Sequence, residues 1–205
     1  HEDASRMKTI DYYFSPVSPW TYLGHARLRD IARRHGASIA PKPVDYGRVF
    51  PVSGGLPLKQ RAPQRQAYRM VELRRWRDFL GVPVQLEPKF FPVSADLAAK
   101  TIIAAAGAGT EKQLDLSHAF MRACWEQDRD ISETATLIDL ATATGLDGAA
   151  LVKAASETSA QAEYDRLTQE AVDRQIFGAP TYVVDGEPFW GQDRLDFVER
   201  ALGRP

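Results

Sequence analysis

The residues best placed to do chemistry are Ser18, Pro19, Trp20 and Thr21. They stand where an aromatic run, Asp11-Tyr12-Tyr13-Phe14, gives way to the start of a helix. Proline suits the first helical position, where its missing N–H has no partner to lose. Ser18 is therefore expected to be the helix N-cap, its hydroxyl among backbone N–H groups at the positive end of the helix dipole. Such a place holds anions, and a thiolate is an anion. An N-cap serine is by itself an ordinary helix start, so the chemistry depends on what stands beside it.

Ser18-Pro19-Trp20-Thr21 has the spacing of Cys-x-x-Cys, the thioredoxin-type redox signature, with a hydroxyl in place of each sulfur. Hydroxyls form no disulfide, which excludes dithiol exchange here and leaves stabilisation of a thiolate brought by another molecule. No set of His, Cys, Asp and Glu has metal-ligand spacing, so no metal is expected. No Ser-His-Asp arrangement is assignable. His25, about two turns along the helix, is expected at the surface rather than in catalysis. Cys124, with Phe120, Met121 and Trp125 as neighbours, reads as a packing residue. Ser53-Gly54-Gly55 reads as a turn rather than a phosphate cradle.

The elements that must position these groups follow from pattern. Lys8 to Phe14 alternates as a strand, with Ile10, Tyr12 and Phe14 on one face. Ser18 to His35 is a helix with Leu23, Ala26, Leu28, Ile31 and Ala32 inward, closed by Arg33, Arg34, His35 and Gly36. Ser38 to Val44 is a second strand, and Pro41 and Pro43 make it an edge. Strand, helix and strand in this order imply a parallel βαβ unit. Asp45 to Leu58 is expected to be a loop. Lys59 to Leu80 is expected to be a helix, with Pro63 near its start and Met70, Leu73, Trp76 and Leu80 inward. After a Pro-rich connection the chain reads as helices from Ser94 to Gln175. Ser94, Ser132 and Asp147 are the expected caps, and Thr158 with Gln161 the expected capping box. Tyr182-Val183-Val184 and Glu187 to Trp190 flank Asp185-Gly186, a strong hairpin signal. An amphipathic helix carrying Leu195, Val198 and Leu202 follows.

The fold expectation is thus α/β: a thioredoxin-like βαβ…ββα order interrupted by a large all-helical insertion. The boundaries are 7–58 and 177–205 for the discontinuous thioredoxin-like part and 59–176 for the insertion. Residues 1–6 precede Met7, which reads as the natural start, and are expected to be an expression remnant. The 205 residues fit one domain with an insertion, and the net charge of -1 offers nothing to nucleic acid or acidic lipid. No apolar run reaches membrane-span length, and a lone cysteine fits a reducing, cytoplasmic setting.

Pro180 directly precedes the expected third strand, in Phe177-Gly178-Ala179-Pro180-Thr181. As a turn into a strand it needs no function. At the same point of a thioredoxin fold a proline is normally cis and presents the backbone of the residue before it. With Phe14-Ser15-Pro16-Val17-Ser18-Pro19-Trp20-Thr21-Tyr22-Leu23-Gly24, Pro63-x-Arg65-x-x-Tyr68 and Gly191-Gln192-Asp193-Arg194, the chain resembles the 2-hydroxychromene-2-carboxylate isomerase family. It is similar as well to the related kappa-class glutathione transferases; both belong to the DsbA-like thioredoxin superfamily. The resemblance runs from Met7 to Leu202 and implies glutathione as cofactor. Ser18 matches the catalytic serine that hydrogen-bonds the glutathione sulfur, with Trp20 beside it. Ala179, before a cis Pro180, matches the residue whose backbone pairs with the cysteinyl part. Gln192 and Asp193 match the pair at the γ-glutamyl end, and Arg65 a basic position used for the glycine carboxylate. The kappa class has an Asn where this chain has Gly55. The implied reaction interconverts a cyclic hemiketal carboxylate and an open-chain benzylidenepyruvate, so a small aromatic substrate is expected, with Trp20 and Tyr22 near the ligand. Relatives are dimers, which implies a homodimer. A kappa-like transferase and a non-catalytic thioredoxin-like binding module are the alternatives.

Overall fold

A computed structural model describes residues 7–204; residues 1–6, where the sequence places an expression remnant, lie outside the described residues. The first strand, β1 (Thr9–Phe14), is an inner strand of the sheet. It pairs in parallel with β2 (Ser38–Pro43) on one side and antiparallel with β3 (Thr181–Val184) on the other. β3 continues through Asp185-Gly186 into β4 (Glu187–Trp190), giving the order β2-β1-β3-β4. Asp185 and Gly186 both have positive φ, 50° and 79°, as a two-residue hairpin turn of the primed type demands. Both outer strands carry proline, Pro41 and Pro43 in β2 and Pro188 in β4, which blunts the sheet edges.

Because side chains alternate along a strand, β1 feeds two cores. Ile10, Tyr12 and Phe14 enter the larger one, under α1 (Pro19–Arg34); Tyr13 enters the smaller one on the opposite face. Tyr12 lies between Phe14 and Tyr182, with ring centroids 4.5 and 5.6 Å away. The smaller core is covered by two helices, α2 (Tyr46–Ser53) and, late in the chain, an element described below.

Between α2 and β3 the regular elements among the described residues are all helical. It runs through α3 (Pro63–Leu80), α4 (Asp96–Ala104), α5 (Thr110–Trp125), α6 (Thr134–Ala143), α7 (Gly148–Ala155) and α8 (Thr158–Asp173), and α9 (Leu195–Leu202) closes the fold after β4. Residues of α4 to α7 share one continuous apolar cluster with α1 and β1, so the helical part is fused to the sheet's core. α8 returns to the sheet: Thr168 accepts from the Asp45 amide, and Ala171 enters the smaller core.

Several local expectations differ from the structure for identifiable reasons. The Gly- and Pro-rich stretch after β2 is helical, because Asp45 caps α2 by accepting from Gly47 N–H at 3.0 Å and Gly54 ends it at φ 82°. Thr158 is already inside α8, whose N-cap is Glu157, and the Gln161 amide bonds Asp165 instead of closing a box. Ser94 and Ser132 sit one residue before the N-caps Ala95 and Glu133; Ser94 accepts from Asp96 N–H, and Ser132 donates to Asp130. Asp147 caps α7 as expected, accepting from Ala150 N–H. Of the four inward positions expected on α3, only Leu73 is fully buried; Met70, Trp76 and Leu80 pack at the core's rim.

Candidate active site

Ser18 is the N-cap of α1, in extended geometry (φ -81°, ψ 122°), and its Oγ accepts from Thr21 N–H at 3.2 Å. With that bond made through a lone pair, its O–H stays available to donate outward. Pro19 opens the helix, and the first turn holds no acidic side chain to neutralise the dipole. Ser15 presets the entry, its carbonyl accepting from Ser18 N–H and its hydroxyl from Val17 N–H. The Val17 carbonyl accepts from Nε1 of Trp125, a fully buried α5 side chain, at 3.3 Å. The helix start is thus held from both parts of the molecule. Ser18 is half-buried, so a ligand can reach it.

β3 begins at Thr181, which pairs with Tyr13 near the end of β1. Antiparallel pairing therefore puts Ala179 and Pro180 at the same end of the sheet as Ser18. The Ala179–Pro180 peptide is cis, as the sequence predicts. The flanking carbonyl of Gly178 accepts from Tyr46 Oη and Thr181 Oγ1, at 3.1 and 2.7 Å. The N–H and C=O of Ala179 have no partner among the described residues. Unpaired backbone groups beside a sheet end can pair with an extended chain.

Gln192 and Asp193 form the start of a single 3-10 turn (Gln192–Arg194) after β4. Asp193 is exposed, but Gln192 is only 2 % exposed, packed against Gly24 of α1. Its Oε1 and backbone carbonyl both accept from Arg27 Nη2. Its Nε2 is left as the side chain's open donor among the described residues. Arg65 is exposed in the first turn of α3. Trp20 is half-buried at the helix start, whereas Tyr22, expected near a ligand, is 5 % exposed and packs on His118 of α5 at 5.5 Å. Gly55 lies on Phe50, where a Cβ would come within 2.6 Å of the ring.

His25 is the clearest departure from expectation. It is fully buried, with Nε2 3.0 Å from the Leu114 carbonyl and Nδ1 3.0 Å from Tyr12 Oη. A carbonyl only accepts, so Nε2 carries the proton and Nδ1 takes the Tyr12 hydroxyl's. Burial pulls its pKa down to about 3, and the ring is a neutral strut between α1, β1 and α5. Cys124 is buried as expected, its thiol pushed up to about 12 by burial. Among the described residues no group of His, Cys, Asp and Glu is arranged to hold a metal, and no helix is long and apolar enough to cross a membrane.

Residues 9–203 match the DSBA-like thioredoxin domain. The chain is 32 % identical to 2-hydroxychromene-2-carboxylate isomerase of Sphingobium xenophagum, over 95 % of this chain and 98 % of that protein. The chain belongs to the DSBA-like thioredoxin family, in its 2-hydroxychromene-2-carboxylate isomerase branch. The isomerase of that name from Pseudomonas putida is 29 % identical, covering 95 % of this chain and 94 % of its own. A solved structure of a 2-hydroxychromene-2-carboxylate isomerase superposes with TM-score 0.80 at 28 % identity, covering 96 % and 95 % of the two chains. Kappa 1 glutathione S-transferase of Rattus norvegicus is more distant, 22 % identical over 96 % of this chain and 91 % of that one. The family is one of enzymes, and the fold is that of its members.

Proposed function

We propose that the protein is a glutathione-dependent isomerase acting on 2-hydroxychromene-2-carboxylate or a close aromatic analogue. The observation that carries this reading is the pairing of an N-cap hydroxyl free to donate, Ser18, with the unbonded backbone of Ala179 at the same end of the sheet. An extended tripeptide fits that arrangement. Its cysteinyl backbone would bond Ala179 before Pro180, its thiolate would face Ser18 and Trp20, and its γ-glutamyl ammonium would meet the exposed Asp193. Arg65 is the residue for its glycine carboxylate, and the open donor of Gln192 faces the γ-glutamyl end.

Glutathione supplies a thiolate that adds reversibly to a conjugated carbon, so that the former double bond can turn. The protein's part is to hold that sulfur ionised near neutral pH. A free thiol has a pKa of about 8.5. A hydrogen bond from Ser18 to a charged acceptor contributes roughly 1.5–3 kcal/mol, or about one to two pKa units, and the open helix N-terminus adds roughly 0.3–1 kcal/mol. Those two contributions suffice without a general base. His25, neutral and doubly bonded in the interior, acts on the fold and not on the substrate.

Two measurements test the reading. Glutathione titrated by calorimetry should bind in the millimolar range or tighter, and no binding would leave only a thioredoxin-like binding module. Interconversion of 2-hydroxychromene-2-carboxylate should require added glutathione. The relation to the kappa transferase motivates a second assay with an irreversible electrophile. Conjugation faster than isomerisation would make transfer the main activity.

A further inference from the structure

Arg61, Arg65 and Arg69 lie four residues apart with no carboxylate paired to any of them among the described residues. Of the other arginines on α3, Arg75 pairs with Glu72 and Arg77 with Asp78, while Arg74, unpaired among the described residues, is exposed rather than half-buried. Arg61 donates Nε to the Leu56 carbonyl at 2.9 Å and lies over the Phe50 ring. Arg69 has one hydrogen-bond partner among the described residues, the Met70 thioether at 4.0 Å, and lies 5.5 Å from the Phe91 ring centroid. Both guanidinium groups are half-buried. Desolvation and then the Arg61 charge pull Arg69 down to about 10. Partly desolvated cations that repel each other and have no counter-ion are costly to keep. The guanidinium fork is also built to take a carboxylate through two parallel hydrogen bonds.

The position of this cluster ties it to the site. Phe91, beneath Arg69, packs on Trp125 with centroids 4.8 Å apart, and Trp125 donates to the carbonyl of Val17, next to Ser18. Arg69 therefore stands two aromatic rings from the start of α1. On the same connection Lys89 lies over Phe90, 5.2 Å from its centroid, adding a further cation.

We propose that Arg61 and Arg69 form a carboxylate seat for the substrate, selecting an aryl 2-oxo acid whose ring lies beside Phe91 while its conjugated carbon reaches toward Ser18. The proposal rests on the isomerase reading for the identity of the acid, but not for the preference for a carboxylate. The glycine carboxylate of glutathione is the other source of the same chemistry, and the test separates the two.

The full chain is titrated by calorimetry with (E)-2-oxo-4-phenylbut-3-enoate, with its methyl ester, and with glutathione. The wild type should bind the acid at least about tenfold more tightly than the ester, as a charge-assisted bidentate contact implies. Arg69→Gln should remove that preference while changing ester and glutathione affinity less than about twofold, and Arg69→Lys should restore part of it. Arg61→Gln gives the same comparison should Arg69→Gln fail to fold by circular dichroism. Equal binding of acid and ester by the wild type overturns the seat. So does a loss confined to glutathione, which would assign the arginines to the tripeptide. An intact acid preference in a protein that does not turn over 2-hydroxychromene-2-carboxylate supports the seat and counts against the isomerase reading alone.

Discussion

A single oxygen, Ser18 Oγ, is the point at which the local fold and the proposed chemistry meet. It accepts from Thr21 N–H, which leaves its own proton free to donate. Ser18→Ala should lower turnover at pH 7 by roughly 10- to 100-fold, the worth of one charge-assisted bond. The loss should shrink toward pH 9, where free glutathione ionises unaided; a pH–rate profile that falls by the same factor throughout would mean that Ser18 does something else. His25 makes a different prediction. Its folded pKa of about 3 lies below the ordinary 6.5, so the unfolded chain binds a proton that the folded chain refuses. Stability is then complete above pH 6.5 and declines as pH falls toward 3, with a slope of at most about 1.4 kcal/mol per pH unit. Urea midpoints measured from pH 7 to 5, above the range where carboxylates titrate, should fall in the wild type and stay flatter in His25→Gln.

The element that matters most is α1, which must present its N-terminus and still lie close on the sheet. Gly24 permits the close approach. A Cβ there would stand 2.7 Å from Gln192 Cβ and 2.8 Å from Tyr182 Oη. Ala is better than Gly in a helix interior by about 1 kcal/mol, but overpacking costs roughly 1–3 kcal/mol. Gly24→Ala should therefore destabilise by up to about 2 kcal/mol, and a raised thermal midpoint would show that the contact is slack. The same substitution should weaken glutathione binding in a calorimetric titration, because Gln192 would be pushed off Arg27. In the proposed glutathione site the element's packing and the ligand's far end share one side chain.

At the scale of the whole molecule, the helical part and the sheet share a core, and Trp125 joins them at the Val17 carbonyl. Trp125→Phe keeps most of the apolar surface and loses that hydrogen bond and some volume. A loss of about 1–3 kcal/mol follows from the unpaired carbonyl and the gap. Because one core serves both parts, far-ultraviolet circular dichroism and tryptophan fluorescence should report one coincident urea transition in the wild type. Two separate transitions would mean that the helical part is an independent unit, as the sequence boundaries at 59 and 176 imply.

What the sequence determined by itself is what short-range backbone geometry determines. The Ser18–Pro19 helix start, the Asp185-Gly186 hairpin, the proline-marked edge strand and the proline before β3 each follow from a few adjacent residues whose φ values and missing or orphaned N–H groups leave little choice. Only the tertiary structure decided where His25 points, that Tyr22 belongs to the core, that Arg27 captures Gln192, and that Arg61 and Arg69 have no acid partner among the described residues. Each of these depends on partners far along the chain: Leu114 for His25, His118 for Tyr22, Gln192 for Arg27, and Phe91, itself packed on Trp125, for Arg69. The even spacing of Arg61, Arg65 and Arg69 was visible in the sequence. Whether those charges were paired was not, because a counter-ion comes from whichever element folds against them.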